Sequence, residues 1–205
     1  MKRRGRAAAA ALGVLAALAV ARPWTVRPIA TAPAERFDAR TYVDSVWLRV
    51  LAEAAAAVDL ATALRRGAAA SSPERGPRVR TPVFVAGSGV VSGVDLGSRV
   101  GLLRLRIEEV PSVEVALQVG PVLRGTALRD ALDFVSFTDF ANQSEFAAVA
   151  NALNDRVLRS VLGAIDPESL SGKRVSFSGA ALLGGSPDAP LEVVPVTLEI
   201  GEEAG

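Results

Sequence analysis

The densest polar segment of this chain runs from Gln118 to Gln143 and contains Gln118, Arg124, Thr126, Arg129, Asp130, Asp133, Asp139, Asn142 and Gln143. They are interleaved with Gly120, Pro121, Gly125, Phe134, Phe137 and Phe140. Planar guanidinium and amide groups beside glycines and a proline suit a small polar pocket. In it Arg124 or Arg129 would hold a carboxylate or a hydroxyl-rich ligand, and Asn142 and Gln143 would add directional hydrogen bonds. Gln118, Arg124, Thr126, Arg129, Asp130, Asn142 and Gln143 are therefore the candidate ligand-binding residues. The same residues admit a structural reading, in which Arg129 and Asp130 tie a long loop to the body of the fold and Asn142 caps a helix. The three phenylalanines read as loop anchors in the core, since aromatic residues at 5% are too sparse for a base-stacking platform.

Other chemistries have less to support them. Asp130, Asp133 and Asp139 carry the oxygens a hard cation needs, but nothing matches the EF-hand loop, and a solvated face accounts for them better. Carboxylates of the Asp130–Asp139 region leave open a hydrolase or lyase of the cell envelope, although no pair is singled out. A serine–lysine nucleophile would depend on Lys173 beside Ser171, in a turn-like segment. The run Gly87-Ser88-Gly89-Val90-Val91-Ser92-Gly93 lacks both the dinucleotide spacing and the P-loop Lys-Ser/Thr, and no helix opens after it, so it reads as a bulged strand. No catalytic residue, metal or cofactor is expected.

The absences narrow the field further. With no cysteine there is no disulfide, thiolate nucleophile, zinc–thiolate site or iron–sulfur cluster. With no histidine, Ser-His-Asp and Cys-His catalysis are excluded, along with the usual general base near neutral pH. Setting aside Lys2, Arg3, Arg4 and Arg6 leaves 19 of the 23 basic residues against 22 acidic ones. That balance lacks the basic footprint of a nucleic-acid binder, and none is expected as a partner.

Those four basic residues precede an apolar run from Ala7 to Ala21 that ends in the small-x-small pattern Ala19-Val20-Ala21. Residues 1–21 thus read as a signal peptide or an N-terminal membrane anchor. As a helix the run would be about 22 Å long, short of the ~30 Å hydrocarbon core, and cleavage is favoured over retention. Positive-inside orientation places the rest of the chain outside the cytoplasm, in the periplasm of a bacterium, either soluble or held at the inner membrane by this segment. Residues 22–37, with Pro23, Pro28 and Pro33, read as a linker.

The elements that must position the polar segment follow in a single domain over residues 38–201. Apolar residues at helical spacing predict a helix over 38–66, with Asp38 as N-cap and Gly67 as terminator. Residues 68–81 read as a loop. From Pro82 the period changes to alternation. Strands are expected from Val83 through the glycine-rich run, at Leu103–Ile107, at Val113–Val119 and over Leu132–Phe137. A second helix is expected over Ser144–Ile165, with Asn142 and Glu145 at capping-box spacing, and then strands near Val175–Ala181 and Leu191–Ile200. Pro195 points to an edge or a bulge in the last strand. The order predicts an α+β, mainly β fold: a small OB-like Greek-key barrel over residues 82–201, with a helix between its third and fourth strands and an N-terminal helix outside, an open α+β sheet being the alternative.

The stretch from Gln118 to Asp130, continued by Phe134-Val-Ser-Phe-Thr-Asp-Phe-Ala-Asn-Gln143, together with Ala150-Asn-Ala-Leu-Asn154, Phe37-Asp38 and Trp47, resembles domain of unknown function 2291. That family is described as predicted periplasmic lipoproteins. The resemblance implies a periplasm-facing accessory protein, often encoded beside sugar-type ABC importers, with no established activity. Its motif falls on Gln118, Gly120, Pro121, Arg124, Gly125, Thr126, Arg129, Asp130, Asn142 and Gln143. This chain has no cysteine to lipidate, so any tether must come from the apolar segment. The expectation is a non-enzymatic binding or accessory module linked to carbohydrate or polyol ABC uptake, its partner a small sugar or polyol or an importer subunit. A purely structural envelope protein is the remaining alternative.

Overall fold

The computed structural model describes residues 37–70, 80–186 and 189–203. The signal peptide or anchor expected over residues 1–21, nearly all of the expected linker and most of the expected 68–81 loop lie outside them. Among the described residues no helix is long and apolar enough to cross a membrane.

Helix α1, Ala39–Ala55, starts where Asp38 caps it. The Asp38 carboxylate accepts the Arg40 and Thr41 N–H groups at 2.9 and 3.5 Å and the Thr41 hydroxyl at 2.9 Å. These bonds, that from the Thr41 hydroxyl foremost, hold the Asp38 carboxyl below its ordinary range. Val43, Trp47, Val50 and Ala54 form its buried stripe. The single helix expected over 38–66 is broken. Val58–Asp59 forms a short strand, β1, parallel to Val85-Ala86, and α2, Leu60–Ala70, restarts beyond it. Asp59 forces the restart, its carboxylate accepting the Thr62 N–H at 2.9 Å as a fresh cap. Apolar residues at helical spacing on both sides conceal the break in the sequence. Gly67 does not terminate α2, which runs on to Ala70.

Five further strands close a barrel: β2 (Thr81–Asp95), β3 (Leu102–Arg106), β4 (Val115–Gln118), β5 (Lys173–Leu183) and β6 (Leu191–Glu203). Neighbours pair in the order β2-β3-β4-β6-β5, and β5 returns to β2. Every junction is antiparallel except β4–β6. The connection from β4 to β5 carries the short helix α3 (Ala127–Asp130) and then α4 (Gln143–Val157), which continues through a π-helical turn at Leu158–Leu162. A helix therefore lies between the third and fourth barrel strands, as in the expected Greek-key barrel.

The strand expected over Leu132–Phe137 is absent. Leu132 and Val135 are buried, but their N–H groups bond to Arg129 and Leu132 carbonyls three residues back, and Phe137–Asp139 forms a 3-10 turn. The two buried positions lie three residues apart, the spacing of successive turns and not of a strand.

Closure depends on β2, whose residues 81–90 pair with β5 and whose residues 90–95 pair with β3, with a bulge between Val91 and Gly93. At the crossover a Cβ on Gly89 would lie 2.7 Å from the Arg106 carbonyl oxygen and 2.8 Å from Ile107 Cγ1. A second irregularity sits between Ser178 and Gly179, where Pro195 pairs with Gly179. Inside the ring, Val85, Leu103, Val115, Leu117, Val175 and Val193 are almost wholly buried.

Gly89→Ala is expected to lower stability by about 2–3 kcal/mol, because backbone must move to admit the methyl. Gly93→Ala meets nothing closer than Arg104 Cδ at 3.7 Å and is expected to be tolerated. Urea unfolding of the two variants checks the contrast; equal losses would refute the crossover constraint.

Candidate functional site

The parallel β4–β6 junction sets one side of a cleft of about 780 Å³. In its register Leu117 pairs with Val193 on one face, while Ala116 pairs with Glu192 on the other, the face shared by Gln118. Gln118 is only 4% exposed. Its amide nitrogen donates to Glu192 Oε2 at 2.9 Å, and its amide oxygen accepts the Arg124 backbone N–H at 2.8 Å. Arg124 Nε donates to the same Glu192 Oε2 at 3.2 Å and Nη2 to Oε1, a bidentate pair. Hydrogen bonding to Glu192, reinforced by its charge, pushes the Arg124 guanidinium above its ordinary range. Leu64 and Gly67 of α2, Leu182 and Leu183 at the end of β5 and Gly184 beyond it also line the cleft.

Thr126, Arg129 and Asp130 form a separate network. The Thr126 hydroxyl donates to Asp130 Oδ2 at 2.6 Å, and Arg129 Nε and Nη2 donate to Asp130 Oδ1 at 2.8 and 2.6 Å. Arg129 Nη1 reaches the Phe146 carbonyl at 3.1 Å, and the guanidinium lies 3.7 Å from the centroid of the Phe146 ring. This buried arginine fastens α3 to α4. Asn154, also buried, donates from Nδ2 to the carbonyls of Leu123 and Gly125 at 3.4 and 3.2 Å, so the loop is tied to α4 at a second point.

Asn142 is the N-cap of α4, its Oδ1 accepting the Glu145 N–H at 3.0 Å. The reciprocal bond differs from a standard capping box, because Glu145 reaches the Ala141 N–H at 3.1 Å. Gln143 is the exposed first residue of α4. Of the seven candidates, Gln118 and Arg124 line the cleft; Thr126, Arg129 and Asp130 hold one another, and Asn142 and Gln143 sit at a helix start.

The motif's Gly120 is demanded by a chain crossing. Its N–H donates to the Val100 carbonyl at 2.6 Å, and a Cβ there would fall 2.3 Å from that carbonyl. Among the carboxylates first considered for a cation, Asp130 is engaged by Arg129 and Thr126, and Asp139 accepts the Ser136 N–H at 2.9 Å. No group of metal-ligating side chains occurs among the described residues. Phe140 packs on Phe37, Tyr42 and Phe146, with ring centroids 5.4, 5.4 and 5.6 Å away, and Phe137 on Phe146 at 5.5 Å. Phe134 and Phe140 pack against the core and anchor the loop, whereas Phe137, expected there too, is 52% exposed.

Glu192, which completes the cleft cluster, was not among the candidates. It lies 74 residues beyond Gln118. The one local signal is that it is the lone charge in the apolar run Leu191–Val196.

A family model described as Predicted periplasmic lipoprotein (DUF2291) matches residues 12–199. The chain matches none of the curated proteins. Among solved structures it is similar to an OB-fold protein from Thermotoga maritima, at 18% identity and a TM-score of 0.59, over 82% of this chain and all of that one. At that identity the likeness concerns the fold, which is the barrel described above.

Arg129→Ala is expected to cost about 2–4 kcal/mol, since it removes a buried guanidinium together with its bonds to Asp130 and its tie to the Phe146 carbonyl on α4. Gln143→Ala is expected to stay within about 0.5 kcal/mol. Chemical unfolding measures both; a neutral Arg129→Ala would remove the structural role assigned to this network.

Proposed function

The chain belongs to the DUF2291 family of predicted periplasmic lipoproteins, and from that premise we propose that it is a non-enzymatic binding module serving carbohydrate or polyol uptake at the periplasmic face. The observation that carries this reading is the Gln118–Arg124–Glu192 cluster beside an open cleft. A carboxylate, a guanidinium and an amide, held by one another and by β4 and β6, present fixed donors and acceptors without rearrangement. Such preorganised groups are what recognition of hydroxyl-rich ligands requires.

Binding is favoured over catalysis by how the carboxylates are used. Glu192 is engaged by Arg124 and Gln118, Asp130 by Arg129 and Thr126, and Asp139 by the Ser136 backbone. With no histidine or cysteine in the chain, the usual neutral-pH base and the thiolate nucleophile are both lacking. The partner of this module is a subunit of a sugar-type ABC importer. The chain has no cysteine for a lipid, so attachment, where the segment is retained, runs through the apolar residues from Ala7 to Ala21.

Thermal-shift titration with neutral sugars, sugar acids and polyols is expected to raise the unfolding midpoint for at least one compound. Glu192→Gln and Arg124→Ala should each weaken that binding about ten-fold or more, as loss of a charged hydrogen-bond partner does. Affinity capture from membranes should recover an importer subunit, with intact mass reporting the N-terminus. No shift for any compound together with no importer subunit would overturn the proposal.

A further inference from the structure

Five aromatic side chains gather in one patch beside the starts of α1 and α4. Phe140 packs on Phe37, Tyr42 and Phe146, Phe37 lies 5.9 Å from Tyr42, and Phe137 meets Phe146 edge-on at 5.5 Å. All five keep some exposure, whereas Trp47, Phe84 and Phe177 are buried.

Local structure accounts for four of the rings. Phe37 precedes the Asp38 cap and Tyr42 is the fourth residue of α1, the two positions that a hydrophobic staple joins across a helix start. Phe140 and Phe146 bracket the Asn142 cap of α4 in a similar way. Phe137 has no such role. It stands in the 3-10 turn Phe137–Asp139 and leaves about half its surface to water, at the rim of rings that are themselves partly exposed. An aromatic patch open to solvent marks contact with another apolar surface.

The course of the chain indicates which surface. Phe37 is where the chain enters the domain, and the 15 residues 22–36 that separate it from the apolar run Ala7–Ala21 span at most about 50 Å. A run held in the bilayer therefore keeps this patch within reach of lipid. The family is described as lipoproteins, yet this chain has no cysteine to carry a lipid, so side chains have to supply its membrane contact. Asp38, Asp139 and Glu145 stand next to the rings in the chain. Attraction to anionic lipid is thus not what the patch offers, and its affinity is apolar.

We propose that this aromatic patch docks on the membrane interface, with Phe137 entering the boundary between headgroups and acyl chains, as a second attachment beside residues 7–21. The attachment is independent of what the cleft binds.

Because the chain has no cysteine, a single thiol can be introduced as a reporter. The full chain is reconstituted in phosphatidylcholine vesicles with a bimane label on Thr138→Cys, beside Phe137, or on Glu109→Cys, an exposed site between β3 and β4. Nitroxide-bearing lipid is expected to quench the first label and not the second, and 0.5 M salt should leave the difference in place, since no ion pairing is involved. Adding Phe137→Ser should lower the ratio of docked to undocked domain about five-fold, the scale of withdrawing a half-exposed phenylalanine from an apolar phase. Phe137→Leu, which stays apolar, should retain most of the quenching, and thermal unfolding of both variants should match the parent. No quenching at Thr138→Cys, equal quenching at both sites, or quenching that survives Phe137→Ser would each overturn the proposal. So would shielding of Thr138→Cys in native membranes but not in lipid vesicles, which would assign the patch to a protein partner.

Discussion

One strand has to serve two neighbours. β2 pairs with β5 along its first two-thirds and with β3 along its last third, and the barrel closes only because the strand can bend where it changes partner. Glycine at position 89, with the bulge before Gly93, provides that bend, because any side chain at Gly89 would collide with the backbone at Arg106. A flat strand of the same length would leave β3 or β5 unpaired. The hydrophobic interior of Val85, Leu103, Val115, Leu117, Val175 and Val193 would then stay open to water.

Closure has a second consequence at the far side of the ring. It brings β6 parallel to β4, and the pleat then assigns Gln118 and Glu192 to a common face. The cluster that results is a product of register. A shift of β6 by one residue would turn Glu192 to the other face and leave Gln118, nearly inaccessible to solvent, without its partner. Fold and candidate site therefore rest on the same pairing.

The family motif proves to be mostly architecture. Gly120 lets two backbone segments cross, Arg129 and Asp130 bind α3 to α4, and Asn142 starts α4. Asn154 fastens the loop that precedes α3. These roles have a purpose for the cleft, because the same loop carries Arg124. An arginine on a free loop would lose much of its binding energy to ordering; on a loop tied by Asn154 at Leu123 and Gly125 it is already placed.

By itself the sequence determined the compartment address, the exclusion of cysteine and histidine chemistry, and the order of strands and helices from which an OB-like barrel follows. Those features depend on composition and on local periodicity, which neighbours in the chain encode. It did not disclose the break at Val58-Asp59, because apolar spacing continues across it, nor the turns over Leu132–Phe137, a short apolar run whose buried residues are three apart and have no partner strand. It collected seven polar residues into one candidate pocket because they are close in sequence. Tertiary structure divided them, keeping Gln118 and Arg124 for the cleft and adding Glu192 from the last strand. The physical reason is that side chains meet through strand register and loop anchoring. Both depend on contacts between residues far apart in the chain, and proximity along the chain carries no record of them.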